Sequence, residues 1–262
     1  MDFITKEYTI KTKKVSEPVS ILFTADLHNA SYGPENEDLF RACRAVRPDM
    51  ILCAGDMLIG RRDEPFETAS HAMRFFASLA PTFFANGNHE TRVKDYEDCR
   101  MYEDYIGQLK DAGVCILNNA GRAFEAGANH FQIYGLELPV SKYIKFHHPE
   151  LSAKEMRDSV GSVLKDPGVY TILIAHNPYF APVYYEWGAD LTVSGHFHGG
   201  IVRTLSGNAL IDPYGFMFPK YGYGSFEKLD RHMIVTSGLG DHFLPFRIGN
   251  PWEIVHISLE PC

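Results

Sequence analysis

An α/β fold of two β-sheets packed face to face, with helices outside, is predicted by three observations. Short apolar runs alternate with amphipathic stretches through the first half of the chain, and strand-like runs dominate from Tyr170 onward. Five of the apolar runs also stop abruptly at Asp, Asn or His. That places polar side chains at strand ends, where open α/β sheets leave a crevice.

The elements follow in order. Residues 3–14 alternate polar and apolar, which suits a half-exposed antiparallel edge strand whose lysines discourage edge-to-edge pairing. The run Val19–Phe23 reads as a buried strand delivering Asp26 and His28. Glu37–Val46 carries Leu39, Phe40, Cys43 and Val46 at helical spacing, and Pro48 ends it by driving the preceding residue out of the helical region. Met50–Ala54 is a second buried strand, ending in Gly55-Asp56. Glu67–Leu79 turns Ala69, Met73, Phe76 and Leu79 inward, and the strand Thr82–Ala85 leads to Gly87-Asn88-His89-Glu90. This βαβαβ pattern implies a parallel sheet with right-handed crossovers.

A helix over Cys99–Ala112 precedes short strands at Val114–Leu117, Arg122–Ala126 and His130–Leu136. Ser152 as N-cap and Glu155 three residues on form a capping box for a helix over Ser152–Leu164. Strands at Tyr170–Ala175 and Leu191–Ser194 end at His176 and at Gly195-His196-Phe197-His198. Further strands are predicted at Ile201–Leu205, His232–Ser237 and Glu253–Leu259.

Composition bounds the rest. The chain has 262 residues, enough to bury a sizeable core, and no linker or repeat divides it, so residues 1–262 read as one domain. A net charge of −8 without a Lys/Arg cluster argues against nucleic acid as a partner. It leaves an anionic substrate possible, because bound divalent cations supply their own positive charge. The five cysteines are scattered and lack a C-x-x-C pair, which reads as reduced thiols in a cytoplasmic protein, with Cys53 a small buried hydrophobe. Neither a signal peptide nor an apolar run of about 20 residues is seen, so no transmembrane segment is expected.

Taken together, the strand ends offer Asp26, His28, Asp56, Asn88, His89, His176, His196 and His198. Imidazole, carboxylate and amide oxygen donors suit Mn²⁺, Zn²⁺, Fe²⁺ or Ni²⁺. Two such ions about 3.5–4 Å apart can clamp an in-line displacement at phosphorus. A shared ligand must be a small bridging carboxylate, and Asp56, with a glycine before it for close approach, is the candidate.

The series Asp26-x-His28, Gly55-Asp56, Gly87-Asn88-His89-Glu90, His176 and Gly195-His196-x-His198 resembles the calcineurin-like metallophosphoesterase family, block for block across residues 24–198. The resemblance implies a four-layer α/β/β/α sandwich of two mixed β-sheets flanked by helices. It implies a metal-dependent phosphoric ester hydrolase, acting on a mono- or diester or a pyrophosphate by attack of a metal-bound hydroxide. Asp26, His28, Asp56 and His198 would hold one divalent ion, Asp56, Asn88, His176 and His196 the other, and His89 would protonate the leaving oxygen. Ser194–Gly200, Tyr221–Ser225, Ser237–Gly240 and Pro245–Glu253 are similar to a bacterial branch, often membrane-anchored, some members of which cleave the pyrophosphate of UDP-2,3-diacylglucosamine. The implied partner is a small-molecule or lipid-linked phosphate, with peripheral membrane contact compatible. A metal-free interaction scaffold on the same fold is the competing class, and the intact donor set stands against it.

Other polar residues receive plainer readings. His130, His232 and His256 lie on apolar strands and read as satisfied core residues; His147-His148 reads as a solvated loop. Glu90 reads as a supporting or helix-start residue. Arg61, Arg62, Arg92 and Lys220 are candidate phosphate contacts, exposed cations being more often simply solvated. The aromatic, glycine-rich stretch Tyr214–Phe226 is either a surface hairpin or a lip of the substrate cleft.

Overall fold

The computed structural model describes residues 3–200, 202–204, 207–241 and 247–262. Along them run β1 (Phe3–Thr12), β2 (Val19–Thr24), α1 (Glu37–Val46), β3 (Met50–Cys53), α2 (Glu67–Leu79), β4 (Thr82–Phe84), α3 (Asn88–Lys94), α4 (Arg100–Asp111) and β5 (Cys115–Ile116). There follow β6 (Ala120–Ala126), β7 (Asn129–Leu136), α5 (Ala153–Val160), β8 (Val169–Ala175), α6 (Ala181–Trp187), β9 (Leu191–Ser194), β10 (Gly224–Lys228), β11 (Arg231–Val235) and β12 (Trp252–Pro261).

Consecutive residues of β2 enter different cores, as a strand covered on both faces requires. Ile21 and Phe23 meet Ile133, Ile172, Ile174 and Val193 between the sheets. Leu22 turns the other way, toward Leu39, Phe40, Met73, Phe76 and Leu109 of the helices. A third apolar layer joins Leu173 and Ala175 to Met156, Val160 and Tyr184. Each large side chain fully buried this way contributes about 1.5–3 kcal/mol. Four layers result, α/β/β/α.

Both sheets are mixed, with strand orders β1-β12-β2-β3-β4-β5 and β10-β11-β9-β8-β7-β6. The strands β2, β3, β4 and β5 are parallel, as are β7, β8, β9 and β11. Their carboxyl ends therefore open to the same side within each sheet.

Several sequence expectations change. The strand over residues 3–14 is an edge strand, but it pairs with β12 parallel, not antiparallel; alternation sets which face is exposed and says nothing about strand direction. The helix begun by the Ser152 capping box ends at Val160, because Gly161 turns left-handed at φ 77°. Helices α3 and α6 and strand β10 were not anticipated. The predicted strand at Ile201–Leu205 is reduced to isolated bridges at Val202 and Arg203, its two end residues lying outside the described ones. His130 is exposed and faces Glu125 at 3.3 Å, and His232 and His256 are half-exposed, so none of the three is a core residue. His147 and His148 are solvent-facing as read, and Cys53 is buried. Among the described residues, no helix is long and apolar enough to cross a membrane.

Candidate metal centre

Each of the eight residues lies just beyond a strand: Asp26 and His28 after β2, Asp56 after β3, Asn88 and His89 at the start of α3 after β4, His176 after β8, and His196 and His198 after β9. The loops are stitched to one another through the backbone. Asp26 N–H donates to Gly55 O (2.9 Å), His28 N–H to Asp56 O (3.1 Å), and Gly195 N–H to His176 O (3.0 Å). Gly55 is required by close approach, since a Cβ there would collide with the backbone of Gly87. Asp26, His28, Asp56, His196 and His198 all have left-handed φ, between 47° and 65°. Such backbone costs about 1–3 kcal/mol per residue and clusters at functional sites.

Seven of the eight side chains converge, Asn88 being placed by its backbone beside His89. Their potential donor atoms form three overlapping groups, each within 4.8 Å: Asp26/His28/His198, His28/Asp56/His89 and Asp56/His176/His196. His28 Nε2 lies 3.3 Å from His198 Nε2, His198 Nε2 3.6 Å from Asp26 Oδ1, and His176 Nε2 3.1 Å from Asp56 Oδ2. Asp56 and His28 each belong to two of the groups, and Asp56 is the carboxylate of the two. The Asn88 amide oxygen is buried with no hydrogen-bond partner. A buried acceptor left unpaired costs about 1–3 kcal/mol, and a cation would satisfy it. The donor set, two carboxylates, imidazoles and an amide oxygen, fits borderline divalent ions.

Two histidines are prepared for opposite tasks. His176 Nδ1 is 2.6 Å from the Ala54 carbonyl, which only accepts, so Nδ1 carries a hydrogen and Nε2 offers its lone pair inward. His89 Nδ1 instead accepts the Gly60 N–H at 2.7 Å, so in the neutral ring Nε2 carries the hydrogen, 3.9 Å from Asp56 Oδ2.

Charge follows burial. Burial and the Asp56 charge together push the Asp26 carboxyl up to about 7, against the pull of His176. Burial also raises Asp56, but His176, His89 and His28 overrule it and hold that carboxyl well below the usual range. Burial alone would lower His176; Asp56 and Asp26 lift it to about 9. Burial lowers His89, partly opposed by Asp56. The two carboxylates thus favour positive charge in this crevice, proton or metal ion.

Glu90 ties the site together. Its buried carboxylate accepts from the backbone N–H groups of Asp56 (2.7 Å), Met57 (2.8 Å) and Gly87 (3.0 Å), joining the loop after β3 to the start of α3. Burial and the Asp56 charge raise it to about 7. It is both a support and a helix-start residue, as its position after His89 suggests. The basic candidates fare less well: Arg61, Arg62 and Lys220 are exposed, with Arg62 stacked on Tyr96 and Lys220 on Tyr221, and Arg92 is half-buried. Sequence reasoning did not single out Arg247, whose Nη2 lies 3.2 Å from His198 Nδ1 and whose Nη1 donates to Ser237 O at 2.8 Å. Nor did it single out Tyr143, whose ring meets His196 edge-on at 5.0 Å. Of the aromatic stretch, Tyr214 reaches the site, 6.0 Å from the His196 ring, Phe216 stacks on His148, and Met217 and Phe218 are exposed.

With this geometry in view, the comparisons with known proteins bear on it directly. The sequence model of the calcineurin-like phosphoesterase family matches residues 19–200. The chain belongs to this family. As a calcineurin-like phosphoesterase it is a metal-dependent phosphoester hydrolase, and the matched residues span every block of the site. It is 28% identical over 232 residues to Phosphodiesterase YaeI of Escherichia coli K12, covering 87% of this chain and 77% of that one. It is 24% identical over 260 residues to the uncharacterized protein YpbG of Bacillus subtilis 168, covering 97% and 86%. Among solved structures, the sulfate thiohydrolase SoxB of Thermus thermophilus superposes with a TM-score of 0.54 at 12% identity, covering 84% of this chain and 52% of SoxB. That likeness concerns the fold alone.

Proposed function

We propose that the chain is a dinuclear metallophosphodiesterase whose catalytic domain is the whole chain. Asp26, His28, Asp56 and His198 would hold one divalent cation and Asp56, Asn88, His176 and His196 the other, with Asp56 shared. Two such cations lower the pKa of water and neutralise charge developing on phosphoryl oxygens. The observation that carries the reading is the convergence of seven strand-end side chains on one crevice, with His176 offering a lone pair and His89 a hydrogen.

The chain's own residues set the geometry. Asp56 is fixed by its own N–H to Glu90 and by its Oδ1, which accepts the His89 N–H at 2.7 Å. His89, neutral and hydrogen-bearing at Nε2, donates a hydrogen bond to the leaving oxygen and stabilises the charge that develops there. The left-handed backbone at five site residues holds the donors in place before substrate arrives, which favours preorganisation over adjustment. The similarity to Phosphodiesterase YaeI supports a diester over a monoester or a nucleotide-linked pyrophosphate. Assay of protein purified without chelator against bis(p-nitrophenyl) phosphate, with metal content measured in parallel, tests the reading. It expects about two metal equivalents per chain and turnover; one equivalent or none, or no diester hydrolysis, would sink it.

A further inference from the structure

Tyr143 closes a single 3-10 turn, Val140–Tyr143, beyond β7. Its ring lies edge-on to His196 at 5.0 Å and tilted to His176 at 6.2 Å, over the Asp56/His176/His196 side of the crevice. Nearby tyrosine hydroxyls are engaged. Tyr214 accepts from Asn177 Nδ2 and donates to Lys142 O, both at 2.6 Å, and Tyr184 donates to Asn177 O at 2.9 Å. Tyr179 shares a hydrogen with His148 at 2.9 Å. The Tyr143 hydroxyl has no hydrogen bond among the described residues. A half-buried tyrosine ordinarily finds a partner for its hydroxyl, and one held beside two imidazoles of a phosphoester site has a donor to offer an incoming anion.

We propose that the Tyr143 hydroxyl donates a hydrogen bond to a non-bridging oxygen of the substrate phosphate, which makes Tyr143 a catalytic residue of this chain. The inference rests on the metal-centre reading above. The residue is well placed for the task. Its ring is fixed against His196, and the neighbouring Lys142 carbonyl is pinned by Tyr214, so the donor is oriented before binding. No bond breaks at Tyr143; the phenol keeps its proton throughout.

Tyr143→Phe keeps the ring and removes only the hydroxyl. With Mn²⁺-loaded protein the variant is expected to match the wild type in metal content and thermal midpoint. Its kcat/KM for bis(p-nitrophenyl) phosphate falls about tenfold or more, and inorganic phosphate binds about tenfold more weakly by calorimetry, as loss of a hydrogen bond to a charged group implies. Unchanged turnover and phosphate affinity would overturn the proposal. Loss of metal together with activity would also overturn it, since Tyr143 would then serve only to pack His196. A wild type that binds no metal fails the underlying reading first, and does so without the variant, so the two failures are distinguishable.

Discussion

The two sheets bring unlike chemistry to one crevice. The sheet containing β2, β3 and β4 supplies both carboxylates, the amide oxygen of Asn88, the imidazole of His28, and His89 with its outward hydrogen, with Glu90 joining the loop after β3 to the start of α3. The sheet containing β8 and β9 supplies only imidazoles: His176, whose lone pair is set by the Ala54 carbonyl, and His196 and His198. Both negative charges thus come from one wall, and the other contributes imidazoles alone. On the proposed assignment neither wall alone has the donors for two ions, so that centre would exist only when the sheets are packed face to face.

The largest effect should come from breaking the charged wall at its shared residue. Asp56→Asn is expected to abolish metal content and to lower kcat/KM by on the order of a thousandfold or more, several kcal/mol of charge stabilisation being lost; near-normal metal content by elemental analysis would refute the bridging role. His89→Asn removes the imidazole hydrogen-bond donor from the same wall. It should slow kcat about 10²–10³-fold with both metals retained, and a loss confined to KM would contradict that role.

Effects on support and on the imidazole wall should be smaller. Glu90→Gln keeps the shape while removing the charge that the backbone amides of Asp56, Met57, Leu58 and Gly87 address, and should weaken metal affinity about 10–100-fold; unaltered affinity in a chelator competition would show that Glu90 is not a brace. His176→Asn should cost metal affinity by a similar factor, and unaltered affinity in the same chelator competition would remove it from the ligand set.

The smallest effect sharpens the contrast through pH. In stripped protein, the stabilisation from protonated His176 is complete below about 6.5 and is lost as pH rises through about 9. Asp26 and Glu90, both raised to about 7, favour the folded state when protonated and also lose that contribution as pH climbs from about 4 through 7. Metal binding must displace those protons. The gap in thermal midpoint between Mn²⁺-loaded and stripped protein should therefore widen from pH 6 to pH 9 in a scanning-fluorimetry series; a constant gap would mean these groups are not where the ion goes.

The candidate site was legible in sequence because its residues follow the ends of apolar runs, a local signal that survives without knowledge of the fold. Glu90 was legible for the same reason, as the third residue after Gly87 at a helix start. Helix α3 was not, being seven residues long and too short to display a period. Helix α6, also seven residues, opens with Ala181-Pro182 and is rich in aromatics that read equally well as strand. Tyr143 and Arg247 were hidden for a different reason: each reaches the crevice from a loop far along the chain, and no spacing rule links them to His196 or His198. The direction of β1 belongs to the same category, since register and polarity are set by the partner strand and not by the strand itself.

That pairing has a consequence for how the molecule is made. Strand β12 is wedged between β1 and β2 and hydrogen-bonded to both, so residues 3–12 cannot join their sheet until residues 252–261 have been synthesised. Until then β2, the strand that delivers Asp26 and His28, presents an open edge. Closing a loop of that span is slow and leaves an adhesive surface bare, so the nascent chain needs shielding on the flank beside the loops of its candidate metal centre until synthesis reaches that strand.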